Sequence, residues 1–146
     1  MRVPVWMLFG LILAILLMDL ITLLVVRADL IEAVNIALDA AFVEGISEEN
    51  LFKGESFLEE SKAREVALTY FKQNLNLDYN LENKFLQKTK FELNFKEEQT
   101  KPMISAVVST TVTTMVPKLV GHKGIEITVR KKQYFLQSYK NMAPVF

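Results

Sequence analysis

The side chains able to do chemistry are few: one histidine, His122, no cysteine, and acidic pairs such as Glu48-Glu49 and Glu59-Glu60. Zinc needs three or four convergent ligands, and His122 stands in a glycine-bounded loop with no second histidine to join it, so it reads as a surface residue. Catalytic carboxylates need a cleft that drives their pKa values apart. Neither of those pairs shows one, and both read as solvated helix ends. Gly121-His-Lys-Gly124 lacks the P-loop spacing and its Lys-Ser/Thr, which leaves a tight turn. Arg130-Lys131-Lys132 is a short basic cluster, either a solvated strand end or a contact for a partner or an anionic surface. Without cysteine there is no disulfide, thiolate metal site or thiol nucleophile. The expectation is a protein with no catalytic residue, no metal site and no cofactor, and not an enzyme. Lys and Arg number 17 against 17 Asp and Glu, a balance that argues against nucleic acid as a partner. The charge is lopsided all the same. Residues 28–65 hold ten acids and three bases, and residues 66–146 hold six acids and twelve bases. The two halves either meet head to tail between copies or neutralise each other within one chain.

The elements that must position these groups begin with an apolar segment. Residues 1–26 carry only Arg2 and Asp19 as charges. From Val3 to Val26 a helix would span roughly 36 Å, more than the ~30 Å hydrocarbon core of a bilayer. A cleaved signal peptide has a shorter apolar run and a small-x-small site, and nothing like that precedes Arg27. The segment therefore reads as an uncleaved anchor, N-terminus cytoplasmic and C-terminal domain extracellular, although the flanking charges give only a slight bias. Asp19 is its costly residue, at about 3 kcal/mol for an ionised carboxylate near mid-bilayer. It must be protonated, snorkel to the surface, or meet a cation from another chain.

No helix breaker stands between Leu11 and Gly45, so the membrane helix should continue into Arg27–Glu44, which is rich in Ala and Leu. Ile21, Leu24, Ala28, Ile31, Asn35, Leu38 and Phe42 follow a 3-4 spacing along one seam. Leu30, Val34, Ala37 and Ala41 widen that seam to about half the circumference. Packing on its own domain absorbs one face, so a helix this apolar is expected to bundle with copies of itself. Gly45 should close it through left-handed backbone freedom. Glu55 to Leu75 reads as a second helix, with Phe57, Ala63, Ala67, Leu68, Tyr70, Phe71 and Leu75 for packing, broken by the Asn-rich run at 74–80. Phe91, Leu93 and Phe95 alternate with polar residues as in a half-buried strand. Met103 to Val116 reads as a long strand with Ile104, Ala106, Val108, Val112 and Val116 on its apolar face, ended by Pro117. Ile125, Ile127 and Val129 form a third strand, and an antiparallel meander is the economical arrangement. The fold class is α+β: a transmembrane helix at 1–26, its extracellular continuation at 27–45, and a globular domain at 46–146.

An apolar helix running into the stretch Arg27-Ala-Asp-Leu-Ile-Glu-Ala-Val-Asn-Ile-Ala-Leu-Asp-Ala-Ala, followed by a small domain that ends in a meander, resembles a type IV pilin-like subunit. More narrowly, it is similar to the TadE/TadG-like proteins of tight-adherence pili. Pro102-Met-Ile-Ser-Ala-Val-Val-Ser-Thr-Thr-Val-Thr-Thr, then Gly121 and the strand Ile125–Val129, add to that likeness. The leader pattern of pilins differs here: Gly10 is the one candidate for a cut, only Arg2 precedes it, and the first acid after it is Asp19. The resemblance implies a structural subunit that self-associates into a cell-surface filament with other pilus or secretion subunits. It implies for Asp19 a pairing with a neighbouring subunit's amine. The expected subunit-interaction residues are Asp19, Ile21, Leu24, Ala28, Ile31, Leu38 and Phe42. A non-polymerising single-pass accessory protein of an envelope complex is the alternative, and a tethered enzyme or sensor a distant third.

Overall fold

The computed structural model describes residues 4–46, 58–98 and 101–134. Helix α1, Val5–Gly45, is one unbroken element of 41 residues. At 1.5 Å per residue it is about 62 Å long. Nothing in that stretch interrupts the hydrogen-bond ladder, as its run of Ala, Leu and Ile predicts. Gly45, however, is not a left-handed cap. It remains in the helix, and the chain leaves at Ile46 in an extended conformation. The glycine is there for space: a Cβ at position 45 would lie 2.8 Å from Ala63 Cβ.

Ile46 bridges to Leu58, and the Glu59 N–H donates to the Gly45 carbonyl at 2.9 Å, giving one of the orphan carbonyls of the helix end a partner. Helix α2 is Glu60–Leu75, later than the expected start. Residues 55–57 of that expectation, Phe57 among them, lie outside the described residues, whereas Leu58 and Glu59 are extended or irregular. The far end follows the Asn-rich signal. Asn76 adopts φ 49°, and the Leu77 N–H returns to the Lys72 carbonyl. The Asp78 carboxylate then accepts from the Asn80 and Glu82 N–H groups, fixing the turn.

Strands β1, Leu86–Glu98, β2, Lys101–Val112, and β3, Ile125–Tyr134, form an antiparallel sheet in the order β1-β2-β3. Phe91 faces Val108, which faces Val129, so the inward positions align across the sheet. A register shift between Gln87 and Lys90 turns Thr89 inward, where its hydroxyl meets that of Thr110 at 2.8 Å. Strand β2 ends four residues earlier than its composition suggests, and Val116 is not on its face. Thr110 is the polar member of that inward row. Beyond it lies a short helix, α3, Met115–Leu119. Pro117 is inside α3, within the first turn, where a missing N–H has no intrahelical partner to lose.

Both long helices pack on one face of the sheet, α1 against β2 and β3 and α2 against β1. Ala33, Ala37, Ala41, Ala63 and Ala67 are all buried in the core the two helices share, and the helices approach closely where Gly45 meets Ala63. Phe71 stacks on Phe91 with ring centroids 4.5 Å apart, an offset contact that locks α2 to β1.

Candidate functional site

The two halves of α1 have different fates. From Leu30 to Gly45 the buried positions are Leu30, Ala33, Val34, Ala37, Leu38, Ala41, Phe42 and Gly45, at three- and four-residue steps. With α2 on one flank and the sheet on the other, the domain covers more than a narrow stripe of the helix. Asp29, Glu32, Asn35, Asp39, Val43 and Glu44 face outward. Leu38 is 1% exposed and Phe42 is 6% exposed, and their side chains are taken up by the chain's own core. Ile31 packs partly against the same core. Asn35, drawn on the same seam, is exposed, because a 3-4 spacing sustained over six turns drifts around a straight helix.

Below Leu30 the helix emerges from the domain. Ile21, Leu24 and Ala28 are exposed, and they are the part of the expected seam left available to a partner. From Val5 to Met18 every residue is apolar or glycine, and all but the half-buried Ile15 are exposed. The helix is long and apolar enough to cross a membrane once.

Asp19 sits where the domain first touches this segment, and its partner is in its own chain. One carboxylate oxygen accepts the Met115 N–H at 3.0 Å and the other accepts the Val116 N–H at 2.6 Å. These are charge-assisted bonds to N–H groups in the first turn of α3, supplied by a residue 96 positions away in the sequence. No cation from another chain is needed to answer the carboxylate. Between α1 and α3 runs an open apolar groove of about 360 Å³, walled by Leu16, Leu20, Leu23, Val116, Val120 and Ile125.

The α3 turn is the functional feature that sequence reading missed. Met115, Val116, Leu119 and Val120 carry a helical 3-4 spacing, the one local signal that marks it. The surrounding β-branched residues and Pro117 mask that signal. Gly121 and Gly124 follow with φ of 77° and 145°, so the glycine-bounded loop is a tight turn that brings the chain into β3.

Other candidate groups stay apart. His122 is exposed in that loop. Glu59 accepts a bond from Ser61, and Glu48-Glu49 lies outside the described residues. Arg130 and Lys132 are exposed on β3. Asp29 and Glu32 border a second open groove of about 370 Å³ with Asn74 and Asn83. No cluster of metal-ligating side chains occurs among the described residues. The Tyr70 hydroxyl donates to Glu44 at 2.9 Å, and that bond and the carboxylate's charge hold the phenol above its ordinary range. This contact ties α2 to α1 on the outer surface and faces no cleft with a reactive partner. No family model, no curated protein and no solved structure matches this chain.

Proposed function

We propose that this protein is a membrane-anchored structural subunit, pilin-like in plan, which assembles through its N-terminal helix into an extracellular filament or its base. The observation that supports this is the division of α1. Its upper half is the backbone of a folded domain, and from Val5 to Met18 it is apolar helix exposed on nearly every side. Such a helix is stable in lipid or against other helices, and in water it would associate. The assembling surface is Ile21, Leu24 and Ala28 together with the apolar helix before them. Leu38 and Phe42 are excluded from it because they are internal.

The burial of those two residues favours a second reading, the non-polymerising accessory protein, in which the helix serves as anchor and contacts a different membrane protein. The chain's lack of cysteine makes the two separable by crosslinking in native membranes. A filament grows by a heterologous contact, in which two different patches meet. A chain with cysteines at both Leu13 and Leu24 should then give an oxidation ladder of many bands, while each single variant stops at a dimer or gives none. A single crosslinked species from the double variant, or none, would remove the filament reading and favour the accessory one.

A further inference from the structure

We infer that α3 is a membrane foot: Met115, Leu119 and Val120 insert into the domain-side leaflet of the bilayer, with Asp19 fastening them at that depth. This rests on the membrane-anchor reading of α1. The argument begins with lengths. A hydrocarbon core of about 30 Å takes about 20 helical residues. A span that starts at Val5, the first residue of α1, therefore closes near Leu24. Asp19 falls inside that boundary, by about 8 Å at 1.5 Å per residue. Met115 and Val116 are hydrogen-bonded to that carboxylate, so α3 is carried to the same depth. If α3 stayed in water, the part of α1 left for the bilayer would be Val5–Met18, about 21 Å of helix against about 30 Å of hydrocarbon.

The composition of the turn agrees with this placement. Leu119 is 75% exposed, Val120 65% and Met115 58%, and Val120 shares the apolar groove with Leu16 and Leu20 of α1. An amphipathic element lying in the interface buries its apolar side about 5–10 Å deep, which matches the depth set by the helix count. Basic side chains stand where headgroups would lie. Lys118 and Lys123 are exposed on the turn and its loop, and Arg27 is about 12 Å above Asp19 along the helix. The backbone is fit for a poorly hydrated site. Met115 and Val116 donate to Asp19, Pro117 has no N–H, and the Val120, Gly121 and His122 N–H groups bond to carbonyls within the turn. The apolar groove between α1 and α3 would be filled by an acyl chain of the same leaflet.

Nitroxide labels on single cysteines test this in the full chain, reconstituted into vesicles of phosphatidylethanolamine and phosphatidylglycerol. The sites are Leu119→Cys and Val120→Cys on the foot, Leu11→Cys on the span, and Lys90→Cys on the outer face of β1 as an aqueous control. All four positions are exposed, so the labels do not disturb the core. Collision with oxygen and with a water-soluble nickel chelate gives each label's depth. The expectation is that Leu119 and Val120 lie about 5–10 Å below the headgroup boundary, Leu11 deeper, and Lys90 in water. If Leu11 is in lipid while Leu119 and Val120 are as nickel-accessible as Lys90, the foot is refuted and the anchor stands. If Leu11 is also in water, the anchor reading falls and takes the foot with it.

Discussion

Replacing Asp19 by leucine should release α3 while leaving the rest of the domain intact. The carboxylate makes two bonds, to the Met115 N–H at 3.0 Å and the Val116 N–H at 2.6 Å, at a partly buried site. Hydrogen bonds to a charged group contribute about 1.5–3 kcal/mol each. Leucine also removes the desolvation cost of the carboxylate, which offsets part of that loss. A net cost of about 2 kcal/mol for undocking α3 is the balance we expect, and at tenfold per 1.4 kcal/mol it raises the opened population about 30-fold. Amide hydrogen exchange in detergent micelles reads this directly, because local opening sets the rate. The Met115 and Val116 amides should exchange about 30-fold faster, and the Val108 amide in the middle of β2 should not change. Asp19→Asn keeps one acceptor oxygen but turns an NH₂ toward a donor, so it should fall between the two. Acceleration below about threefold at Met115 and Val116, or equal acceleration at Val108, would refute the reasoning. The first would mean the carboxylate does not hold α3. The second would mean Asp19 supports the whole fold.

Three further outcomes follow from the packing. Leu38→Ala should cost about 2–5 kcal/mol in a denaturant melt of the full chain in detergent, because the side chain is internal; a loss under 1 kcal/mol would return Leu38 to the list of candidate subunit contacts. Gly45→Ala gains about 1 kcal/mol of helix propensity but drives a Cβ to 2.8 Å from Ala63 Cβ, an overpacking cost of about 1–3 kcal/mol. The melt should show net destabilisation, relieved by adding Ala63→Gly; an additive double variant would contradict the close approach. Because Glu44 raises the Tyr70 pKa, the fold gains stability that is complete below the ordinary phenol range and lost as pH rises through the folded value. Ultraviolet titration should show one tyrosine shifted to lower pH by Glu44→Gln, and an unchanged curve would dismiss the bond.

Much of the architecture was legible because its signals are local. An uninterrupted run of helix formers fixes α1, and alternation at Phe91, Leu93 and Phe95 and at Ile125, Ile127 and Val129 fixes β1 and β3. The Asn-rich run after Leu75 supplies a left-handed residue where α2 ends. The candidate site was legible only in its lower half. Nearly unbroken apolarity from Val3 to Val26 marks a possible span whatever surrounds it, since crossing a bilayer depends on length and polarity alone.

Tertiary structure decided the rest. A helix apolar on many sides carries little directional signal, so its sequence does not say whether Leu38 and Phe42 face another copy or their own sheet. That depends on where α2 and β2 come to lie. Gly45 looks like a terminator and is instead a gap for Ala63, a distinction that exists only once two helices touch. Asp19, read alone, is an unpaired acid in an apolar helix that requires a partner from outside. Its partners are two backbone N–H groups, which every residue except proline possesses and which no side-chain pattern advertises. They reach Asp19 because the end of β2 returns the chain to α1 and turns there into a helix. A hydrogen bond between a side chain and a distant backbone is set by that path through space, and the spacing of residues along the chain does not encode it.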